Sequence, residues 1–305
     1  MITVLAHKSP DTDATGSPLI WAWYLNEIRK TPARAVLQGT PNTEAAWMLT
    51  RWDRDMPEIV TDIAAGEQVV ICDTNNPAEL PPGINDTEIL EIIDHHMLVG
   101  GLKTRTPINI TIRPLACTAT IMRDLIGDDM SAAPDWVRGV MLTCILSDTL
   151  QFRSPTTTDH DRAVAEGLAA GLDIDIDQYA TEMFAAKSDV SAYGDEDLLR
   201  MDSKEFELQG KKLRVSVLET TAPQVLLDRK LALLAAMPGV ARADGADEVL
   251  LFVVDILNEE ATLLVPNDYV RQVAEASFGL PVAGDHVVLP GIMSRKKQII
   301  PSLKL

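Results

Sequence analysis

The segment His7-Lys8-Ser9-Pro10-Asp11-Thr12-Asp13 puts one imidazole and two carboxylates directly behind a short apolar run. That mixture of donors is half of a divalent-metal site. Read alone, Asp11 and Asp13 also suit turn capping, a common use of aspartate after proline. Two further apolar runs end in the same way. Gln68 to Cys72 runs into Asp73, and Ile89 to Ile93 runs into Asp94-His95-His96. Asp148 follows the apolar stretch Val140 to Leu146. His7, Asp11, Asp13, Asp73, His95 and Asp148 offer two histidines and four carboxylates. A pair of divalent ions needs about that many donors, if one carboxylate bridges and water completes the coordination. A set without sulfur favours Mn²⁺, Fe²⁺ or Co²⁺ over a closed structural zinc site. Asp73, arriving between the two clusters, is the natural bridge.

The elements that must position these residues follow from periodicity. Ile2, Val4, Leu5 and Ala6 read as a buried strand, and Ser17-Pro18 as the start of the following helix. His7, Asp11 and Asp13 are therefore expected on the intervening turn. Strands are expected at 33–37, 68–72, 89–93 and 108–112, the last nearer an edge. Helices are expected at 43–52, 118–126, 136–146, 160–170 and 176–186. This alternation predicts an α/β fold, a parallel sheet with helices on both faces, whose strand ends converge on one crevice. A polar, acidic stretch at 188–197 predicts a linker between a metal-binding domain, 1–187, and a smaller mixed α/β domain, 198–305. In the latter, runs at 206–208 and 213–218 flank a hairpin signal, Gln209-Gly210-Lys211-Lys212. A helix at 224–237, strands at 249–257 and 262–265, a helix at 269–278 and a strand at 286–289 complete it.

The chain has 305 residues and a net charge of −18, which argues against a general nucleic-acid binder. No run is long enough for a membrane helix and no leader opens the sequence, so a cytoplasmic protein without membrane association is expected. Cys72, Cys117 and Cys144 lack CxxC spacing and read as buried, reduced thiols. An acidic protein handling a phosphate substrate must concentrate cations locally. Arg295-Lys296-Lys297 is such a concentration, set between two apolar segments, although a basic run alone more often marks a solvated surface.

Taken together, HKSPDTD, the lone Asp73 after a strand, Asp94-His95-His96 and Asp148 resemble the DHH phosphoesterase superfamily. Ser294-Arg295-Lys296-Lys297-Gln298 is similar to the SRKKQ signature of its manganese-dependent (family II) inorganic pyrophosphatases. Cys117-Thr118-Ala119-Thr120, Ser154-Pro155-Thr156 and Asp202-Ser203-Lys204-Glu205-Phe206 support the likeness, which runs from His7 to Gln298. The resemblance implies an active site in the cleft between two domains. His7, Asp11 and Asp73 would hold one ion, and Asp13, Asp73, His95 and Asp148 the other. His96, Lys204, Arg295 and Lys296 would contact the substrate, with Asp94 orienting a neighbour.

The resemblance further implies two Mn²⁺ per chain, with Co²⁺ as an alternative, and Mg²⁺ arriving with pyrophosphate. The expected reaction is hydrolysis to two phosphates by a hydroxide shared between the ions, in a homodimer. Short polyphosphate or a small nucleotide is the rival substrate, and non-catalytic binding of a phosphate ligand the rival class. Two departures from the family pattern stand out. Asp73-Thr74-Asn75-Asn76 replaces the usual Asp-His-Asn-Glu, which bears on substrate strictness, and Ala6 replaces a glycine. The short stretch between Asp73 and the next strand leaves no room for an inserted nucleotide-sensing domain.

Overall fold

Six short aliphatic runs pair side by side in the first part of the computed structural model, which describes residues 1–305. They are β1 (Ile2–Leu5), β2 (Ala33–Leu37), β3 (Glu58–Ile59), β4 (Gln68–Cys72), β5 (Glu88–Asp94) and β6 (Asn109–Ile112). All pairings are parallel, in the order β3-β2-β1-β4-β5-β6. β1 is buried throughout and β4 at every residue but its first, as continuous Val/Ile runs require when helices cover both faces. The chain builds outward from β1 in one direction and then in the other. The carboxyl ends of β1 and β4 thus form a topological switch point, where such sheets bind ligands.

The helices of this unit are α1 (Thr12–Trp23), α2 (Thr43–Arg51), α3 (Thr118–Ile126), α4 (Asp135–Asp148), α5 (Asp159–Leu172) and α6 (Ile176–Lys187). The start of α1 corrects the sequence reading. Asp11 is the N-cap, its carboxylate accepting from the Ala14 N–H at 2.9 Å, and Pro18 lies inside the helix. The Asp11 cap supersedes the Ser17-Pro18 signal, so Asp13 projects from the first helical turn and not from the preceding loop. Gly16 then matters for placement. A Cβ there would collide with Cys144 Sγ and Val140 on α4, so glycine lets α4 lie close against α1. That approach brings the far end of α4, with Asp148, toward Asp13.

The chain forms two compact units, Met1–Ala186 and Lys187–Leu305. The second unit has a five-stranded sheet, order β11-β10-β9-β8-β7. Its strands are β7 (Ser203–Leu208), β8 (Lys211–Thr220), β9 (Glu248–Asp255), β10 (Glu260–Leu264) and β11 (His286–Pro290). β8 and β9 pair in parallel and the remainder antiparallel, a mixed sheet. Gln209 and Gly210, both at positive φ, make the tight turn between β7 and β8.

Its helices are α7 (Asp195–Arg200), α8 (Pro223–Leu227), α9 (Lys230–Ala243), α10 (Asp268–Phe278) and the short α11 (Ile300–Ser302). Two expectations change here. α7 starts inside the stretch read as linker, its first turn rich in carboxylates that favour a helix N-terminus. The single helix expected at 224–237 is broken into α8 and α9. Arg229, at the break, bonds Asp195 and the carbonyls of Val190 and Tyr193. No helix of the protein is long and apolar enough to cross a membrane.

Candidate metal centre

Asp73 leaves β4 with φ at +58°, a left-handed conformation that aspartate tolerates better than most residues. Its N–H bonds the Ile93 carbonyl at 2.9 Å, which ties the turn to β5. The buried carboxylate faces both neighbouring strand ends. Oδ2 lies 3.5 Å from His7 Nε2, beyond β1, and Oδ1 lies 3.3 Å from His95 Nε2, beyond β5. Asp11 Oδ1 is 3.8 Å from His7 Nε2, so His7, Asp11 and Asp73 form one group of converging donors. Asp73, His95 and His96 form a second, and Asp13, Cys117 and Asp148 a third. All six residues expected as ligands therefore fall in these groups.

The four residues expected around one ion are not gathered into a single cluster. Asp73 and His95 make one pair and Asp13 and Asp148 another, with Thr118 between them. The Thr118 N–H donates to Asp13 Oδ2 at 2.7 Å, and its Oγ1 donates to Asp73 Oδ1 at 3.0 Å. Thr118 opens α3, so the positive end of that helix also points at these carboxylates. Ser17 Oγ holds the other oxygen of Asp13 at 2.7 Å. The third group brings in sulfur, which the sequence reading left out. Burial, with Asp13 and Asp148 nearby, pushes the Cys117 thiol well up. Without an ion the thiol is protonated and hydrogen-bonds Asp148, which places sulfur directly beside the Asp13 and Asp148 donors.

The electrostatics divide the carboxylates. Burial pushes Asp13 up to about 7, helped by the charge of Asp73. Burial and the same neighbouring charges raise Asp148 well above the usual range. Asp73 is equally buried, yet hydrogen bonds from His7 and His95 overcome that penalty and hold it below its ordinary value. His95 is raised to about 9, because Asp73 outweighs the opposing effect of burial. A cluster of carboxylates that burial drives toward protonation calls for positive charge.

The donor set fits a divalent metal on further grounds. Asp148 Oδ2 is buried without a hydrogen-bond partner, an open ligand position. His95 Nδ1 lies 3.2 Å from the Leu115 carbonyl, which fixes its tautomer and leaves Nε2 facing Asp73, the usual support for a ligating histidine.

Several supporting residues carried no signal of their own in the sequence. Asn75 accepts from the Val99 N–H at 2.7 Å and donates to the Met97 carbonyl at 3.0 Å and to Asp94 Oδ2. It therefore fixes the chain beyond the two histidines. Asp94 Oδ1 accepts from the His96 N–H at 3.0 Å and meets its Nδ1 at 2.9 Å. That hydrogen bond raises the His96 pKa, and the half-exposed ring is left with Nε2 to offer. Thr74, buried where the family pattern has histidine, donates to Glu79 Oε2 at 2.7 Å. Glu44 accepts from Thr12 on α1 and Ser147 on α4, joining three helices at the ends that carry Asp13 and Asp148.

The residues expected to meet substrate, other than His96, lie in the second unit. Lys204 is exposed on β7 and Lys296 is exposed on the turn Arg295–Ile299. Arg295 is largely buried and pairs with Asp202, Nη2 to Oδ1 at 2.7 Å and Nη1 to its carbonyl. The basic run is a tight turn wrapped around Gln298. Gln298 Oε1 accepts from the N–H groups of Met293 and Ser294, both at 2.9 Å, and its amide donates to the Gly291 carbonyl at 2.6 Å.

Comparison with known proteins agrees with this architecture. The family models "DHH family, N-terminal domain" and "DHHA2 domain" match residues 1–147 and 181–305. A Deinococcus radiodurans protein named "Probable manganese-dependent inorganic pyrophosphatase" is 39% identical over 100% of this chain and 98% of its own. A Lactobacillus helveticus protein of the same name is 32% identical over 98% and 96%. Among solved structures, one from Methanococcus jannaschii, named as a candidate family II inorganic pyrophosphatase, has a TM-score of 0.61 at 29% identity. It covers 99% of this chain and 98% of that one. An exopolyphosphatase-related protein from Bacteroides fragilis shares the fold, with a TM-score of 0.51 at 14% identity, over 98% of this chain and 89% of its own. With both models matched and the likeness running from end to end, the chain belongs to the manganese-dependent (family II) inorganic pyrophosphatases of the DHH superfamily.

Proposed function

We propose that this chain hydrolyses inorganic diphosphate to two phosphates, with manganese ions held at the carboxyl ends of β1, β4 and β5. The observation that carries the reading is Asp73, one buried carboxylate whose two oxygens face histidines from two different strand ends. The names of the full-length relatives support the metal and the substrate. In this proposal His7, Asp11 and Asp73 hold one ion, and Asp13, Asp73, His95 and Asp148 hold a second. Co²⁺ can take the place of Mn²⁺, and Mg²⁺ enters with the substrate. When bound, such ions polarise phosphoryl oxygens and lower the pKa of water.

The chain's own groups supply the rest. Thr118 and Ser17 hold the Asp73 and Asp13 oxygens in place. The Asp94 hydrogen bond at Nδ1 raises the His96 pKa and so favours the protonated ring, whose Nε2–H can donate to the leaving phosphate. Residues 1–187 act as the metal-binding domain and 198–305 as the substrate-binding domain. Arg295, Lys204 and Lys296 from the latter neutralise charge on the phosphates, with Arg295 aimed by Asp202. The enzyme works in the cytoplasm, as a homodimer whose mass light scattering would report.

The test is phosphate release with Mn²⁺ from pyrophosphate, tripolyphosphate and a cyclic dinucleotide. Pyrophosphate should give by far the highest kcat/KM. Preference for either of the others would replace the substrate, and release from none would leave a binding protein.

A further inference from the structure

A cavity of about 430 Å³ opens between α3, α4 and α5, and none of the residues lining it belongs to the metal centre. In a chain of net charge −18 its polar wall carries two guanidiniums, Arg123 and Arg138, with the His160 ring beside them, and no carboxylate lines it. The carboxylates around it leave the two guanidiniums weakly engaged. Arg123 comes no closer than 3.9 Å to Asp124, which already takes Arg113 at 2.9 Å and His160 at 3.0 Å. Arg138 stands 3.6 Å from Asp135, itself well exposed on the same helix.

The rest of the lining includes apolar side chains, from Met130, Val164 and Leu168. Its floor is the stretch of α5 that carries Gly167 and Gly171. A Cβ added at either would meet nothing within 4 Å, and neither has a positive φ. Nothing inside the chain therefore asks for glycine there, although glycine weakens a helix relative to alanine. Both glycines line the cavity, and the absence of side chains at these two positions keeps it open.

We propose that this cavity is a second ligand site, for a phosphorylated small molecule with an apolar or aromatic body. Two guanidiniums suit the oxygens of a phosphate ester, because each offers paired N–H donors. The apolar side chains and bare helix face would take the attached ring or chain. The volume lies in the range of small-molecule sites, roughly 300–1,000 Å³. Orthophosphate would leave most of that space unused.

The experiment is calorimetric titration of the full-length, Mn²⁺-loaded protein with ADP, phenyl phosphate and orthophosphate. Phosphates can also reach the metal centre, so each probe is repeated on Gly167→Leu, which fills the cavity, and on the double variant Arg123→Gln/Arg138→Gln. The expected result is a binding event for ADP or phenyl phosphate that weakens at least tenfold in both variants, while pyrophosphate turnover and Tm stay near wild type. The identity of the better probe distinguishes a nucleotide from a simple aryl phosphate. Equal binding in wild type and the double variant would overturn the proposal, as would no binding at millimolar probe, or orthophosphate binding as tightly as either ester. Should Gly167→Leu fail to fold, the double variant alone decides.

Discussion

Removing the Thr118 hydroxyl should weaken the metal centre without touching any ligand. Thr118 is buried, and its Oγ1 donates to Asp73 Oδ1 at 3.0 Å while its N–H serves Asp13. Thr118→Val keeps the shape and the N–H and deletes only the first of these bonds. A hydrogen bond to a charged group contributes about 1.5–3 kcal/mol. The same Asp73 oxygen keeps His95 at 3.3 Å, so it is not orphaned and the lower end applies. Loss of a partner that orients a ligand usually costs about 10–100-fold in metal affinity, and about tenfold is expected for Mn²⁺ here because the carboxylate keeps its other contacts.

In stability, about 1.5 kcal/mol should lower the Tm of the metal-free protein by roughly 3–6 °C for a unit of this size. The assay is Mn²⁺ titration against a competing chelator, with melting in excess chelator as the control for folding. Thr118→Ser restores the donor and should recover most of the affinity. A Thr118→Val protein that melts below wild type yet binds Mn²⁺ within twofold of it would refute the reasoning. The hydroxyl would then hold α3 in place and do nothing for Asp73.

Asp73→Ala should lose both tightly bound ions and all turnover, because no other carboxylate faces histidines on two sides; two ions by elemental analysis of that variant would reject the bridge. Arg295→Ala should keep its metals and lose about 10²–10³-fold in kcat, with lysine a poor substitute because it cannot make paired contacts. Near-wild-type kcat would make the Arg295–Asp202 pair purely structural. Metal uptake should release protons, because Asp13 at about 7 and His95 at about 9 hold theirs more tightly than usual and an ion must displace them. Mn²⁺ affinity should therefore rise with pH through both values, and calorimetry in buffers of different ionisation enthalpy should count the protons. A pH-independent Kd would contradict the charge assignment.

The parallel sheet and the strand-end positions of Asp73 and His95 were legible because continuous aliphatic runs ending in a polar residue carry both facts in one signal. The beginning of α1 was misread because two capping signals compete within seven residues, and sequence does not say that Asp11 will reach the Ala14 N–H. Cys117 was read as an ordinary core thiol. Its place beside Asp13 and Asp148 depends on three elements meeting, which no local pattern encodes. The roles of Thr118, Asn75 and Gln298 were hidden for the same reason. Each satisfies a backbone or carboxylate partner distant in sequence or folded back by a turn. The basic run shows the converse. It was read as a concentration of cations for a phosphate substrate, but the ordered turn that holds it shows only in the hydrogen bonds of Gln298.

The strand order explains why one aspartate can serve both groups of donors. β4 lies between β1 and β5, and adjacent strands are about 4.8 Å apart, so a residue at its end is one strand spacing from each neighbour's last residue. A side chain in ordinary extended backbone would point above or below the sheet and face neither. The left-handed turn at Asp73 swings the carboxylate past the strand end, where its two oxygens can address both sides. Only a short side chain that tolerates positive φ can do this, which confines the position to Asp or Asn unless glycine takes it. Asparagine would keep the conformation and lose the charge. Asp73→Asn should therefore fold as wild type and separate geometry from charge more cleanly than alanine. Tight Mn²⁺ binding by that variant would mean that the backbone turn, and not the carboxylate's charge, defines the site.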